Sequence, residues 1–254
     1  MLLVMDVGNT TTMIGVYEGV RRLAEWRLST AQARTVDEYA VLIQGLFGLA
    51  GIEVKSIDAI VISSVVPPLN PVLEEMARTH FGRQALFIEP GVKTGMPVLT
   101  DNPHEVGADR IVNGVAAYAR FGGPVIVIDF GTATTFDVIS ARGEYLGGAI
   151  APGLGVSAEA LFARAARLPW VAFRKPPRVI GRNTVHSMQS GLYFGYAGLV
   201  EGIVQRVRAE LGESARVVAT GGLSQVLAGE LPFVDEFDPS LTLEGLRLVY
   251  NKNL

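Results

Sequence analysis

The stretch VIDFGTATTFDV, from Val127 to Val138, joins an apolar run to a turn of small and polar residues. The apolar run ends in Asp129, a glycine follows at position 131, and three threonines precede the next apolar residues. A carboxylate at the end of a buried strand is costly to desolvate unless it faces water or a cation. The sequence therefore predicts a β-hairpin whose turn holds a ligand.

A second stretch with the same layout, LLVMDVGNTTTMIGV, runs from Leu2 to Val16. Its Asp6 lies 123 positions before Asp129, close to half of the 254 residues. At that offset the following pairs coincide: Gly8 with Gly131, Thr11 with Thr134, Thr12 with Thr135, Met5 with Ile128, Val7 with Phe130 and Met13 with Phe136. Further strands are expected near Leu23–Leu28 and Tyr145–Ile150. The repeat predicts two related halves, each built on a hairpin.

Outside the repeat, helical and strand-like segments alternate. Helical periodicity covers 36–50, 71–81, 157–168, 186–211 and 241–252, and apolar strand-like runs cover 57–64, 85–90 and 215–222. This alternation, given twice, predicts an α/β protein of two related domains, residues 1–118 and 119–254, with a cleft between them.

The composition limits the class of protein. Hydrophobic residues make up 49% of the chain and charged residues 19%, so a large core is expected and disorder is not. The formal net charge of -3, without long runs of one sign, argues against nucleic acid and anionic membranes as partners. The chain has no cysteine, which excludes disulfides and thiolate metal sites. A cytoplasmic protein without signal peptide or membrane span is expected.

Two hairpins with an acid, a glycine and hydroxyls have the chemistry of a polyphosphate site. Glycine lets the backbone approach a ligand closely, and a turn supplies backbone N–H groups. The hydroxyls belong to Thr10, Thr11, Thr12, Thr132, Thr134 and Thr135. One such hairpin is more often an ordinary polar turn, but the matching pair favours a clamp for polyphosphate and its Mg²⁺. The chain has no P-loop motif, and no G-x-G-x-x-G opens a helix after a strand.

A pair of glycines follows the predicted strand in VVATGGLS, from Val217 to Ser224. Gly221 and Gly222 would let a base or ribose lie on bare backbone. A plain strand–turn–helix junction explains them equally well. The pair gains weight only because a phosphate clamp needs an adenosine site nearby.

An acidic and a basic side chain, Asp109 and Arg110, are neighbours in DNPHEVGADR, from Asp101 to Arg110. Asn102 is expected to cap a helix, with Pro103 at its first position. Asp109 near a helix start is most simply a cap or dipole residue. Alternatively, Asp109 accepts a proton from an attacking hydroxyl while Arg110 holds a substrate carboxylate.

The long predicted helix carries glycines at steps of four, three and four, which places them on one face. They are Gly191, Gly195, Gly198 and Gly202. Together they lower the intrinsic helix stability by about 3–4 kcal/mol. Close approach of another backbone would compensate, either within the chain or across a self-complementary dimer contact.

With DVGNT, GADR, DFGTATT, GGAIAPG and ATGG in this order, the chain resembles the type III pantothenate kinases of the acetate and sugar kinase, Hsp70 and actin superfamily. The resemblance covers Leu3 to about Asn251. It implies two ribonuclease H-like (actin-like ATPase) domains with an interdomain cleft. It also implies ATP-dependent phosphorylation of pantothenate, the first step of coenzyme A biosynthesis, by a homodimer whose substrate site lies near the subunit interface.

The resemblance also implies roles for individual residues. The first phosphate motif supplies the ATP contacts Asp6, Val7, Gly8, Asn9, Thr10, Thr11, Thr12 and Met13. In the second, Asp129 matches the residue tied to a monovalent cation, K⁺ or NH₄⁺, and Thr132 matches an ATP contact. The substrate contacts are Thr100, Gly107, Ala108, Asp109, Arg110 and Thr184, with Asp109 as the catalytic base. Mg²⁺ arrives with ATP, and Asp6 is its candidate contact through phosphate. Many members have tyrosine where this chain has Thr100, which reaches less far.

Two other functions would use the same hairpins. One is an ATP-binding regulatory or chaperone-like module of the superfamily, and the other is a phosphohydrolase in which water replaces the acceptor. A switch has no need of Asp109 and Arg110 beside a small-molecule pocket. An ATPase assay with and without pantothenate separates the three functions.

Overall fold

The computed structural model describes residues 1–165 and 168–254. They form two compact units, one of Met1–Met96, Asn102–Ala116 and Leu241–Leu254, and one of Pro97–Asp101 and Ala117–Ser240. The last segment of the chain therefore packs with the N-terminal unit. The domain boundary between residues 118 and 119 stays a prediction.

The described part of the chain contains ten strands and seven α-helices. The strands are β1 (Leu2–Val7), β2 (Thr11–Glu18), β3 (Arg21–Ser29), β4 (Ala59–Ser64), β5 (Ala85–Phe87), β6 (Val125–Phe130), β7 (Ala133–Ile139), β8 (Tyr145–Pro152), β9 (Arg216–Thr220) and β10 (Glu236–Phe237). The helices are α1 (Val36–Ala50), α2 (Asn70–His80), α3 (Ala108–Phe121), α4 (Leu154–Arg164), α5 (Thr184–Leu211), α6 (Ser224–Leu227) and α7 (Leu241–Asn251). No helix of these residues is both long and apolar enough to span a bilayer.

Each unit contains one five-stranded sheet, and the two sheets have the same strand order. The first is β3-β2-β1-β4-β5 and the second is β8-β7-β6-β9-β10. In both, the first three strands along the chain are antiparallel and the last two run parallel to the central strand. The predicted repeat is therefore confirmed as a repeat of topology.

Local signals fix the ends of α1 at the predicted residues. The side chain of Thr35 accepts a hydrogen bond from the backbone N–H of Glu38, whose carboxylate accepts one from the backbone N–H of Thr35. This capping box satisfies two donors that the first turn leaves without helical partners. Gly51, with φ of 68°, ends the helix in a left-handed conformation that glycine adopts without strain.

Helix α7 packs against the sheet of the first unit. A Cβ on Gly15 of β2 would lie 3.1 Å from Leu243 of α7, so the helix side chain occupies the space above that strand. A Cβ on Gly245 would lie 2.1 Å from the carbonyl oxygen of Val112, which shows backbone-close packing of α7 on α3. The opposite face of the sheet carries the apolar core formed with α1 and α2.

In the second unit, α5 packs along one face of the sheet. The buried residues of this core alternate along β6 and β7 and recur at helical spacing along α5, for example Ile126, Ile128, Tyr193, Val200 and Val204. Residues between them on the strands, Asp129 and Asp137 among them, therefore point to the other face. Helix α5 begins at Thr184, after the N-cap residue Asn183, which is two residues earlier than the predicted start at His186.

The predicted register of the two hairpins is correct up to the turn and wrong after it. Val7 pairs with Thr12, whereas Phe130 pairs with Thr134. The second turn has two residues between its strands and the first has three, so the structural counterpart of Thr12 is Thr134. Both of these threonines are buried, as expected for equivalent positions.

Two further predictions need correction. Pro103–Glu105 forms only a short 3-10 turn, and the amide of Asn102 donates to the Glu105 carboxylate at 2.7 Å instead of capping a helix. The helix predicted over 157–168 begins earlier, at Leu154, and ends at Arg164. Residues 166 and 167 of that prediction lie outside the described residues.

Candidate active site

The first turn presents backbone and hydroxyl groups at the end of β1. Asp6 is partly exposed and pairs with Ser63 of the neighbouring strand β4. The N–H of Gly8 donates to the carbonyl oxygen of Thr11 at 3.1 Å, which closes the turn. Asn9, Thr10 and Thr11 are exposed. The sheet thus holds a carboxylate beside a turn that is open to a ligand.

Val7, Thr12 and Met13 of the predicted first phosphate motif differ in which of their atoms a ligand can reach. The side chains of Val7 and Thr12 are buried. The Thr12 hydroxyl is 2.8 Å from that of Thr30, so these hydroxyls bond to each other across the sheet. Met13 is partly exposed. Val7 and Thr12 can therefore contact a nucleotide through their backbone only, and their roles stay predictions.

The second turn lies against a glycine from the end of β8. Gly131 and Thr132 are exposed, and the N–H of Gly153 donates to the carbonyl oxygen of Thr132 at 3.0 Å. A Cβ on Gly153 would lie 2.2 Å from the same oxygen. Only glycine permits this approach, which explains the last residue of GGAIAPG.

The ATGG motif contacts β6 at Asp129, two residues before the second turn. Gly221 has a φ of 89°, and a Cβ there would lie 2.5 Å from Oδ1 of Asp129 and 2.6 Å from the backbone nitrogen of Phe130. Gly222 is exposed, with no other atom within 4 Å of its Cβ position. The structure therefore brings the predicted nucleotide glycines together with the predicted cation residue, within one unit.

Asp109 lies in the first turn of α3. The backbone N–H of Arg110 donates to Oδ1 of Asp109 at 2.8 Å. A Cβ on Gly107 would lie 2.5 Å from that oxygen, so glycine makes room for the carboxylate. Burial raises the pKa of Asp109 above its usual value, and the N–H and charge of Arg110 offset only part of this rise. Ala108, between Gly107 and Asp109 in the chain, is partly buried. A carboxylate with a raised pKa holds a proton more readily, as a general base requires.

Thr100 and Thr184 belong to the second unit, whereas Asp6 and Asp109 belong to the first. The Thr100 hydroxyl is buried and has no hydrogen-bond partner in the described structure. Thr184 is exposed at the start of α5 and lines a cavity of about 790 Å³ with Arg182, Asn183 and Gly191, among others. The roles of both threonines as substrate contacts stay predictions.

No group of three or more histidine, aspartate or glutamate side chains with metal-binding geometry occurs among residues 1–165 and 168–254. Asp6 and Asp129 each offer a partly exposed carboxylate at a turn with hydroxyl and amide groups. Oxygen donors of this kind suit Mg²⁺ and monovalent cations that are held mainly by phosphate. The residues therefore fit cations that arrive with a nucleotide.

Sequence reasoning missed Tyr196, whose hydroxyl bonds to the Thr134 hydroxyl and donates to the carbonyl oxygen of Pro152 at 3.1 Å. It thereby ties α5 to β7 just after the second turn and to the last residue of β8. It also missed Asp137, a fully buried carboxylate in β7. An acid within an apolar strand is a visible signal in the sequence, whereas the partner of a tyrosine in a helix is not.

Comparison with known proteins places the chain in a family. The family model described as type III pantothenate kinase matches residues 2–206. The type III pantothenate kinase of Myxococcus xanthus is 57% identical over 253 residues, covering 100% of this chain and 99% of the relative. That of Koribacter versatilis is 54% identical over 263 residues, covering 100% and 96%.

Solved structures match the fold over nearly the whole chain. The inorganic polyphosphate/ATP-glucomannokinase of Arthrobacter has a TM-score of 0.51 at 16% identity and covers 99% of this chain and 97% of its own. The ethanolamine utilization protein EutJ of Carboxydothermus hydrogenoformans has a TM-score of 0.60 at 14% identity and covers 97% and 89%. These matches and the two sheets confirm the prediction of two ribonuclease H-like domains. The chain belongs to the type III pantothenate kinase family.

Proposed function

We propose that this protein transfers the γ-phosphoryl group of ATP to the primary hydroxyl of pantothenate, the first step of coenzyme A biosynthesis. The observation that carries the proposal is the 57% identity, over both whole chains, to a curated type III pantothenate kinase. The placement of Asp109 and Arg110 together at a helix start adds to it, because an acceptor site needs a base and an anion-binding group. A cytoplasmic location is part of the proposal.

In this reaction Asp109 is the base that takes the proton of the pantothenate hydroxyl as the O–P bond forms. An alcohol does not ionise before attack at neutral pH, so the base must lie within about 3 Å of the hydroxyl. Arg110 binds the pantothenate carboxylate through a charge-assisted hydrogen bond. Since phosphoryl transfer passes through a loose transition state, most of the remaining catalysis is positioning and charge neutralisation.

The two turns bind the phosphates of ATP through their backbone N–H groups and the hydroxyls of Thr10, Thr11 and Thr132. Mg²⁺ and a monovalent cation, K⁺ or NH₄⁺, neutralise charge on the phosphates when bound. Asp6 would hold Mg²⁺ through the phosphates, and Asp129 would hold the monovalent cation. Gly221 supports this assignment because any side chain at this position would collide with the Asp129 carboxylate.

A homodimer is also part of the proposal. Gly191, Gly195 and Gly198 on α5 are exposed, and no atom outside the local helix backbone lies within 4 Å of their Cβ positions among the described residues. Packing within the chain therefore does not compensate for the low helix propensity of these glycines. A second copy of α5 packed on the same face would do so in a self-complementary contact.

The experiment that tests the assignment of Asp109 is a comparison of Asp109→Asn with Glu105→Gln. Glu105 is an exposed acid four residues away, so its variant controls for loss of a nearby charge. Asp109→Asn should lower kcat by roughly 10²–10⁴-fold, the usual contribution of a positioned base. KM for ATP should change little, and Glu105→Gln should resemble the wild type. An Asp109→Asn enzyme with normal kcat and a raised KM for ATP alone would contradict the assignment.

A further inference from the structure

One buried carboxylate is not used by the chemistry proposed above. Asp137, in the middle of β7, has no solvent exposure. Its structural counterpart in the first unit is Gly15, because each pairs with the residue two positions before the strand-ending aspartate. Since the first sheet has the same strand order with glycine at this position, the fold itself does not require an acid there.

Both oxygens of the Asp137 carboxylate accept hydrogen bonds from hydroxyl groups. The Tyr145 hydroxyl donates to Oδ1 at 2.7 Å, and the Thr135 hydroxyl donates to Oδ2 at 3.1 Å. These bonds offset the desolvation of the carboxylate. Replacing a buried hydrogen-bonded group and its partners by apolar groups of the same shape is often nearly neutral. Stability alone therefore does not account for the acid.

Thr135 connects Asp137 to the second phosphate turn. It pairs directly with Asp129 across the β6–β7 ladder. Directly opposed residues of neighbouring strands share one face of the sheet, with Cβ atoms about 4.5–5.5 Å apart. The Asp137–Thr135 bond therefore ends beside the carboxylate proposed to face the cation.

Tyr145 connects Asp137 to the segment that contains Thr100. The N–H of Tyr145 donates to the carbonyl oxygen of Pro97 at 2.8 Å, and its carbonyl oxygen accepts from the N–H of Leu99, also at 2.8 Å. Thr100 is the next residue and packs beside Gly147 of β8. The Tyr145 ring is fully buried, so its hydroxyl bond fixes the end of β8 to which this segment is attached.

We propose that Asp137 is a positioning residue for pantothenate, which holds the segment Pro97–Asp101 in register with the hairpin that carries Asp129. The carboxylate acts through Tyr145 on the acceptor side and through Thr135 on the phosphate side, and it touches neither substrate. This inference rests on the proposed placement of pantothenate beside Thr100.

The test compares Tyr145→Phe with Tyr39→Phe. The first variant removes the hydroxyl that donates to Asp137, and the second removes a buried tyrosine hydroxyl that has no hydrogen-bond partner in the described structure. Tyr145→Phe should raise KM for pantothenate about five- to twentyfold, the effect of losing one buried hydrogen bond, with KM for ATP unchanged within about twofold. Hydrogen exchange at the Leu99 amide should become faster in Tyr145→Phe only.

A second variant, Asp137→Asn, removes the charge and makes one of the two hydroxyls face an amide donor. Its effect on KM for pantothenate should not add to that of Tyr145→Phe in the double variant, because both act on the same hydrogen bond. Equal changes in both KM values, additive effects, or a Tyr145→Phe enzyme indistinguishable from Tyr39→Phe would each overturn the inference. The placement of pantothenate is tested separately by Thr100→Val, which leaves the Asp137 bonds intact. An unchanged KM for pantothenate in that variant would reject the placement, whatever Tyr145→Phe shows.

Discussion

Replacing Gly221 by alanine should damage the nucleotide side of the protein selectively. The added Cβ would lie 2.5 Å from Oδ1 of Asp129, 2.6 Å from the nitrogen of Phe130 and 2.7 Å from its carbonyl carbon. Real Cβ atoms do not approach this closely, and two of the three atoms belong to the backbone of the central strand β6. Either β6 or the turn after β9 must therefore move.

The magnitude follows from two contributions. Alanine in a left-handed conformation, forced here by a φ of 89°, is less favourable than glycine by about 1–2 kcal/mol. Overpacking of a rigid site adds about 1–3 kcal/mol. Together they predict a loss of about 2–5 kcal/mol, and at about 2–4 °C per kcal/mol for a chain of this size Tm should fall by about 4–20 °C.

The matched control is Gly229→Ala, because this exposed glycine lies in the same unit, has an open Cβ position and has no proposed role in nucleotide binding. Thermal unfolding gives Tm, and initial rates at saturating pantothenate give KM for ATP. Gly221→Ala should lower Tm by the amount above and raise KM for ATP at least tenfold, since a displacement of about 1 Å in a catalytic site is enough for effects of that size. If the two variants agree in both quantities, the close packing of Gly221 on Asp129 does not exist in solution.

Three further predictions concern the proposed site and the subunit contact. Because burial raises the folded-state pKa of Asp109, this residue favours the folded state only at acidic pH, and its contribution is lost as pH rises through the raised pKa. Asp109→Asn should therefore have a higher Tm than the wild type at pH 7–8, and scanning calorimetry should show this difference shrink at acidic pH. Asp6→Asn and Asp129→Asn should each lose most turnover with an unchanged circular dichroism spectrum, and wild-type rates in either would exclude its role. Gly195→Arg should sediment near the monomer mass of 27.2 kDa while the wild type sediments at about twice that mass, and an unaltered dimer would place the contact elsewhere.

The sequence predicted the parts of the fold that depend on short-range patterns. The ends of α1 were correct to the residue because Val36 to Ala50 is flanked by a capping box and a left-handed glycine. The register after the second turn was wrong because composition does not reveal whether a turn holds two or three residues. The predicted cap at Asn102 was wrong because only a 3-10 turn forms at Pro103–Glu105, and the Asn102 side chain donates its amide N–H to the Glu105 carboxylate.

The placement of the site residues was predictable from local sequence patterns, as for Asp109 near a helix start and Asp129 near a strand end, whereas their chemical roles stay predictions. It was not predictable where the geometry depends on contacts distant in sequence. The approach of Gly221 to Asp129 joins residues 92 positions apart, and the bond of Tyr196 to Thr134 joins residues 62 positions apart. A single sequence contains no local pattern for either pair.

Helix α7 has a consequence for the order in which the newborn chain folds. The N-terminal unit needs residues from Leu241 onward to cover β1 and β2, whereas the other unit is complete once Ser240 has been made. At about 5–20 residues per second, the first sheet waits on the order of ten seconds after its own last strand for this helix. The half of the molecule that emerges first from the ribosome is thus the half that finishes last, and a chain truncated before residue 241 would expose the uncovered sheet to chaperones and proteases.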